Sequence, residues 1–271
     1  MRLGRIVLHL FLITYTIYAL GPLVWLAVAS LKPTFQIIAD PFALPQELSF
    51  RNYLALSVSR FWIYYRNSII VSAGGLLGIL LFATTTAYAL ARFRFPGREW
   101  IRTTIFAAIL LPPALVVLPL FLQMQTYGLV DNQLGLMLVY AAFAMPVSVY
   151  ILRDFIAHIP VEVADAARVD GANEWQVFLR VMLPISRPAI TSVLLLQFVH
   201  FWNEFVLALV LIRSDNLRTL PVGLTLLNTE YTMNYGAMAA ALVLSAAPML
   251  LVFAIFSERF IRGMSAGALK G

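Results

Sequence analysis

No cysteine occurs in the 271 residues, which excludes disulfides, thiolate metal sites and a cysteine nucleophile. Lysine is almost as scarce. Lys32, before Pro33, and Lys270, before Gly271, are the only two. The Gly-Lys-Ser/Thr ending of a phosphate-cradling P-loop is therefore missing. The chain also lacks HExxH and GxSxG, and His9, His158 and His200 are too dispersed for an evident metal site. Charged residues make up only 12%, against 61% hydrophobic, a balance well outside that of soluble globular domains. No basic patch interleaved with aromatics stands outside the apolar runs, so nucleic acid is not an expected partner despite the net charge of +6. No catalytic cluster is evident either, and the chain is not expected to be an enzyme. If it moves a solute uphill with ATP, another chain must bind the nucleotide.

What the sequence does contain is long uncharged runs. They are Ile6 to Leu31, Asn67 to Ala91, Thr103 to Val130, Asn132 to Leu152, Pro188 to Ile212 (broken once by Glu204) and Tyr231 to Ser257. Each exceeds the roughly 20 residues that carry a helix across a ~30 Å hydrocarbon core. Alternating ten-residue strands are not seen, so helices are the way left to satisfy the backbone in lipid. The expected fold is an all-α integral membrane protein with six transmembrane helices. The first run, with Arg2, Arg5 and Ala27-Val28-Ala29, resembles a secretory signal. It is about twice the length of a signal core, and a retained helix is expected.

Lys and Arg set the orientation. With the N-terminus inside, segments 1–5, 92–102, 153–187 and 259–271 hold two, four, four and three of them, while 32–66, 126–133 and 213–235 hold four, none and two. Thirteen against six places both termini in the cytoplasm.

One polar island has the pattern of a small folded object. Between Pro160 and Pro188 it reads PVEVADAARVDGANEWQVFLRVMLPISRP. Pro160 suits a first helical turn, and Glu162 and Asp165 lie near the positive helix end. Ala164, Ala167 and Gly171 follow i, i+3, i+7, which predicts a narrow small-residue stripe. Gly171 suits a helix C-cap. A second amphipathic turn follows (Trp175, Phe178, Leu179, Met182), and Pro184 is expected to stop it. The acidic residues Glu162, Asp165, Asp170 and Glu174 against Arg168 and Arg180 argue against a basic membrane-surface helix. A docking element is the expectation.

In the fifth run, Gln197, His200 and Glu204 fall at i, i+3 and i+7, flanked by Asn203. Ionisable groups within a span cost about 2.5–3.5 kcal/mol on insertion scales and usually face a bundle interior or aqueous cavity. With Phe198, Phe201, Trp202 and Phe205 around them, these residues are candidates for a translocation path that accepts sugar hydroxyls and ring faces. Interhelical hydrogen bonding is the competing reading for each. Gly74 to Gly78 contains a GxxxG pair suited to close helix approach. Pro112, Pro113, Pro119, Pro146 and Pro248 predict kinks or local unwinding of their helices.

Asp165-Ala166-Ala167-Arg168-Val169-Asp170-Gly171-Ala172, followed by Leu183-Pro184, resembles the EAA signature of permease subunits of ATP-binding cassette importers, with Asp165 where Glu is usual. Phe201-Trp202-Asn203-Glu204-Phe205, Arg218-Thr219-Leu220-Pro221-Val222-Gly223-Leu224 and the terminal Arg259 to Gly271 are similar to the carbohydrate branch of that family, specifically its maltose-type second permease. The resemblance implies a type I importer permease fold with a cytoplasmic coupling helix. It implies an N-terminal helix and outer segment over 1–62, a permease core over 63–257 with the EAA loop at 158–187, and a cytoplasmic tail over 258–271. Asp165, Ala166, Ala167, Asp170, Gly171, Leu183 and Pro184 would engage the ATPase.

The implied partners are a sister permease, two cytoplasmic ATPase subunits that bind ATP and Mg, an extracytoplasmic solute-binding protein and the lipid bilayer. No cofactor or metal is expected on this chain. The tail, whose Gly263, Gly267 and Gly271 weaken helix propensity, is expected to reach toward the ATPase. An ion-coupled secondary transporter is the alternative class. It would be expected to show inverted repeats and paired broken helices carrying ionisable groups, and only one carboxylate lies within a span.

Overall fold

Backbone groups in an apolar chain have to find partners within the chain, and helices provide them locally. The computed structural model describes residues 2–45, 47–230 and 234–268, and among these no strand occurs. Four helices are long and apolar enough to cross a membrane: Arg5–Ser30, Phe61–Arg92, Gln133–Ala157 and Tyr235–Phe256. Counting each of two bent pairs as one span gives up to six, Arg98–Leu110 with Leu115–Thr126 at 114° and Glu174–Ile185 with Arg187–Trp202 at 73°. Glu174–Ile185 belongs to the polar island, so Arg187–Trp202 is the apolar part of the second pair.

The chain forms two compact units, residues 1–65 with 222–251 and residues 66–221 with 252–271. In the first, the end of the opening helix is tied to the following segment. Asn52 donates to the Ser30 and Lys32 carbonyls at 2.8 and 2.9 Å, and the Ser30 and Tyr53 hydroxyls pair at 2.7 Å. Lys32 is fully buried, its ammonium 3.4 Å from the Asp40 and Pro41 carbonyls.

In the second unit the later turns of the Phe61–Arg92 helix, Ile79–Ala83 and Thr84–Arg92, run against the Gln133–Ala157 helix. The GxxxG glycines make this approach possible. A Cβ added at Gly74 would run into the Met137 side chain, and one at Gly78 would lie 2.7 Å from the Ala141 methyl. Behind them the Tyr140 and Phe201 rings stack at 5.0 Å, and both residues are buried.

The third run is locally unwound at its prolines. It breaks between Leu110 and Pro113, because two consecutive prolines lack amide donors and Pro112 forces Leu111 into an extended conformation (ψ 116°). Likewise the fifth run is two helices, Arg187–Trp202 and Val206–Leu211. The last helix runs Tyr235–Ala268, passing Gly263 and Gly267. Adding a residue to a nucleated helix is easy, and about 1 kcal/mol per glycine does not end it. Lys270 and Gly271 lie outside the described residues.

Candidate functional site: the docking element and the broken fifth span

The polar island folds as two short helices around one sharp turn. Val161–Val169 is the first, with Glu162 in its opening turn. Gly171 ends it with φ of 87°, donating to the Arg168 carbonyl, while Ala172 donates to Ala167. That pair of bonds is a Schellman end, and its left-handed position costs an L-residue about 1–2 kcal/mol. Asn173 opens the second helix with a reciprocal capping box, its side chain accepting from the Gln176 amide and its amide donating to the Gln176 side chain.

The second helix then widens into a π-turn over Val177–Met182. Pro184 does not stop it at once. The helix continues through Ile185, and the chain bends at Ser186, whose amide reaches the Met182 carbonyl at 2.9 Å. Proline deprives the carbonyl four residues earlier of its α-helical donor, and the wider turn before it accommodates that loss.

Arg168 clips the two helices together. Its Nη1 donates to Asp165 at 2.6 Å, while Nε and Nη2 donate to Glu174 at 2.8 and 3.3 Å. Hydrogen bonding from Arg168 holds the Glu174 carboxyl below the usual range, and bonding to Glu174 holds the guanidinium above its own. Both side chains are more than a third exposed, so the pair stabilises by at most about 1 kcal/mol. Its effect is geometric.

The small-residue stripe is only partly a surface. Ala164 is buried and Ala167 half-buried, while Asp165, Ala166, Asp170 and Gly171 are exposed. Leu183 and Pro184 are half-buried at the far end of the second helix. Large apolar groups face outward instead. Val169 is 87% exposed, Trp175 66% and Leu179 52%. Val161, at 49%, and Ile185, at 41%, add to the exposed apolar groups on this charged element.

The fifth-span residues do not share one face. The helix ends at Trp202, so Glu204 lies beyond it. Its inward stripe is Ile190, Val193, Gln197 and Phe201, all buried, and this leaves His200 on an exposed side. Asn203 is the C-cap, exposed, with its amide donating to the Val199 carbonyl at 2.8 Å. Glu204 lies just before the next helix, Val206–Leu211, whose N-cap is Phe205. Its carboxylate accepts from the Leu207 and Ala208 amides at 2.7 and 3.0 Å and from the Tyr140 hydroxyl at 2.9 Å. A carboxylate satisfying amide donors at a helix start explains why the chain tolerates a charge there. Tyr140 and Tyr88, the partners of Glu204 and Glu174, gave no signal in the sequence. They stand 64 and 86 residues away from those carboxylates.

A second carboxylate holds two connecting segments. Asp131, at φ 58°, accepts from the Arg213 and Ser214 amides at 2.9 and 2.7 Å and from the Ser214 hydroxyl. Those bonds, chiefly from Ser214, hold its carboxyl below the ordinary range.

An apolar bundle with two broken spans and a compact polar element between helices defines a membrane transport component. The chain belongs to the family of binding-protein-dependent transport system inner membrane components, whose model matches residues 74–266. It is 36% identical over 265 residues to the diacetylchitobiose uptake system permease protein NgcG of Streptomyces coelicolor, covering 97% of this chain and 88% of that one. It is 32% identical over 258 residues to the arabinooligosaccharides transport system permease protein AraQ of Halalkalibacterium halodurans, covering 93% and 92%. A chain in the crystal structure of a bacterial ABC transporter that imports the acidic polysaccharide alginate superposes with a TM-score of 0.84 at 26% identity, covering 96% and 97%. The fold is that of an ABC importer permease with six membrane-spanning segments.

Proposed function

We propose that this chain is one permease subunit of an ATP-driven, binding-protein-dependent importer of oligosaccharides. The observation that carries this is the clipped helix pair Val161–Ile185, which presents Val169, Trp175 and Leu179 outward on a charged element. The names of the relatives, which concern uptake of diacetylchitobiose and arabinooligosaccharides, support the solute class. Asp165, Ala166, Ala167, Asp170, Gly171, Leu183 and Pro184 seat the element in a cytoplasmic ATPase subunit. Two such subunits bind ATP and Mg, and this chain, without a P-loop, binds neither. Closing of the ATPase pair moves the seated element as a rigid body and switches the bundle between inward- and outward-facing states.

A sister permease completes the path, and an extracytoplasmic binding protein delivers the sugar to the segments at 32–66, 126–133 and 213–235. Both termini and the docking element lie in the cytoplasm, as the excess of inner Lys and Arg supports. The core over 63–257 carries the path and the 258–271 tail approaches the ATPase. Within the path, His200 and Asn203, exposed on this chain, face the solute or the sister subunit. Gln197 and Glu204 hold the wall and the helix break.

Reconstitution tests this. Vesicles holding both permeases and the ATPase should accumulate a chitooligosaccharide only with ATP on the cytoplasmic side and binding protein on the other. Accumulation by the purified chain alone, driven by an ion gradient, would overturn it.

A further inference from the structure

A continuous row of rings runs from the exposed surface of the docking element into a membrane helix. Trp175, 66% exposed, meets Phe178 edge-on at 6.0 Å between ring centres. Phe178 packs at 5.0 Å on Tyr88, and Tyr88 meets Phe93 at 5.5 Å. Phe178 and Tyr88 are both 5% exposed. The tyrosine hydroxyl donates to Glu174 at 3.3 Å, and Glu174 is itself gripped by Arg168. One turn further along the same helix, Arg92 donates to the Ile156 and Ile159 carbonyls at 2.9 and 2.6 Å, where the Gln133–Ala157 helix ends. Movement of the docking element therefore meets stiff, close-packed side chains before it reaches two membrane helices.

Irregular helical turns occur on both elements that carry this row. Π-turns lie at Ile79–Ala83, just before the Thr84–Arg92 helix, and at Val177–Met182. Such wide turns are rare and recur at functional places in helices. A void of about 10 Å³ lies between them, lined in part by Thr84, Phe178, Met182 and Ser186. Close-packed buried rings are poorly compressible, so a displacement at one end of the row is passed to the other.

We propose that Tyr88 is a positioning residue for transport: with Phe178 and Trp175 it forms a strut that carries movement of the docking element into the Thr84–Arg92 helix, and Glu174, held by Arg168, fixes the strut to the element. The inference rests on the coupling role proposed above.

The test uses the complete reconstituted complex and measures solute uptake and ATP hydrolysis together. Tyr88→Leu removes ring and hydroxyl and should lower solute moved per ATP about tenfold, whereas Tyr88→Phe, which keeps the ring, should lower it only about twofold. Glu174→Gln sits at a half-exposed position that tolerates change and should lower the same ratio about threefold. If Tyr88→Leu does not assemble, Glu174→Gln alone decides the matter. A wild-type ratio in either assembled variant, including one in which only the yield of complex falls, overturns the strut. A wild-type complex without ATP-dependent uptake overturns the importer reading and the strut with it.

Discussion

Glu174, Glu204 and Asp131 each direct their carboxylate oxygens at donors of the protein itself. Asp131 has a consequence that depends on pH. Because its carboxyl is held below the ordinary value of 3.8, the stability it contributes is present above that value and lost as pH falls through the depressed one. Hydrogen-exchange protection of the Arg213 and Ser214 amides, corrected for intrinsic rates, should be flat from neutral pH down to mild acid and decline below 3.8. In Asp131→Asn it should be lower above 3.8 and lose this dependence. An Asp131→Asn profile like that of the unaltered protein would disprove the clasp. Polar residues such as Glu204 stood out in the sequence by type, since a charge in an apolar run is conspicuous. Its role did not stand out, because that role depends on Tyr140 and on a helix start that no local pattern announces.

Among the elements, the pairing of Phe61–Arg92 with Gln133–Ala157 depends on how near two backbones come. At Gly78 an added Cβ would fall 2.7 Å from the Ala141 methyl, inside any real contact. Gly78→Leu should therefore force the helices apart, at about 1–3 kcal/mol from overpacking. The expected result is a reduced yield of folded protein after mild detergent extraction, and Ala141→Gly in the same chain should restore part of it. Full yield from Gly78→Leu without that second change would show that the glycine is not needed for close approach. The GxxxG spacing announced this contact. The breaks at Leu111 and Asn203 were harder to read. Prolines predict a kink but not its angle, and at Glu204 no proline marks the break.

At the scale of the whole molecule, orientation is the property to test. Single cysteines at Ala166 and Ala167 in this cysteine-free chain should react with a membrane-impermeant reagent only in inside-out vesicles, and Leu44→Cys only in right-side-out cells. Labelling of Ala166→Cys from the outside of intact cells would reverse the topology. The docking element is well suited to such a probe, since Ala166 is exposed while neighbouring Ala164 is buried. Sequence spacing grouped Ala164 with Ala167 and Gly171 on one face. Packing turned part of that face inward and left Val169, Trp175 and Leu179 outside.

Composition and run length alone determined that this is a helical membrane protein, and the EAA-like segment with its glycine-ended helix was legible because capping and turn chemistry are local. The tertiary structure alone decided which carboxylates meet which tyrosines, which side of the docking element faces outward and where two spans break. Those outcomes depend on groups far apart in the chain competing for the same space and the same hydrogen bonds, and no local pattern records that competition.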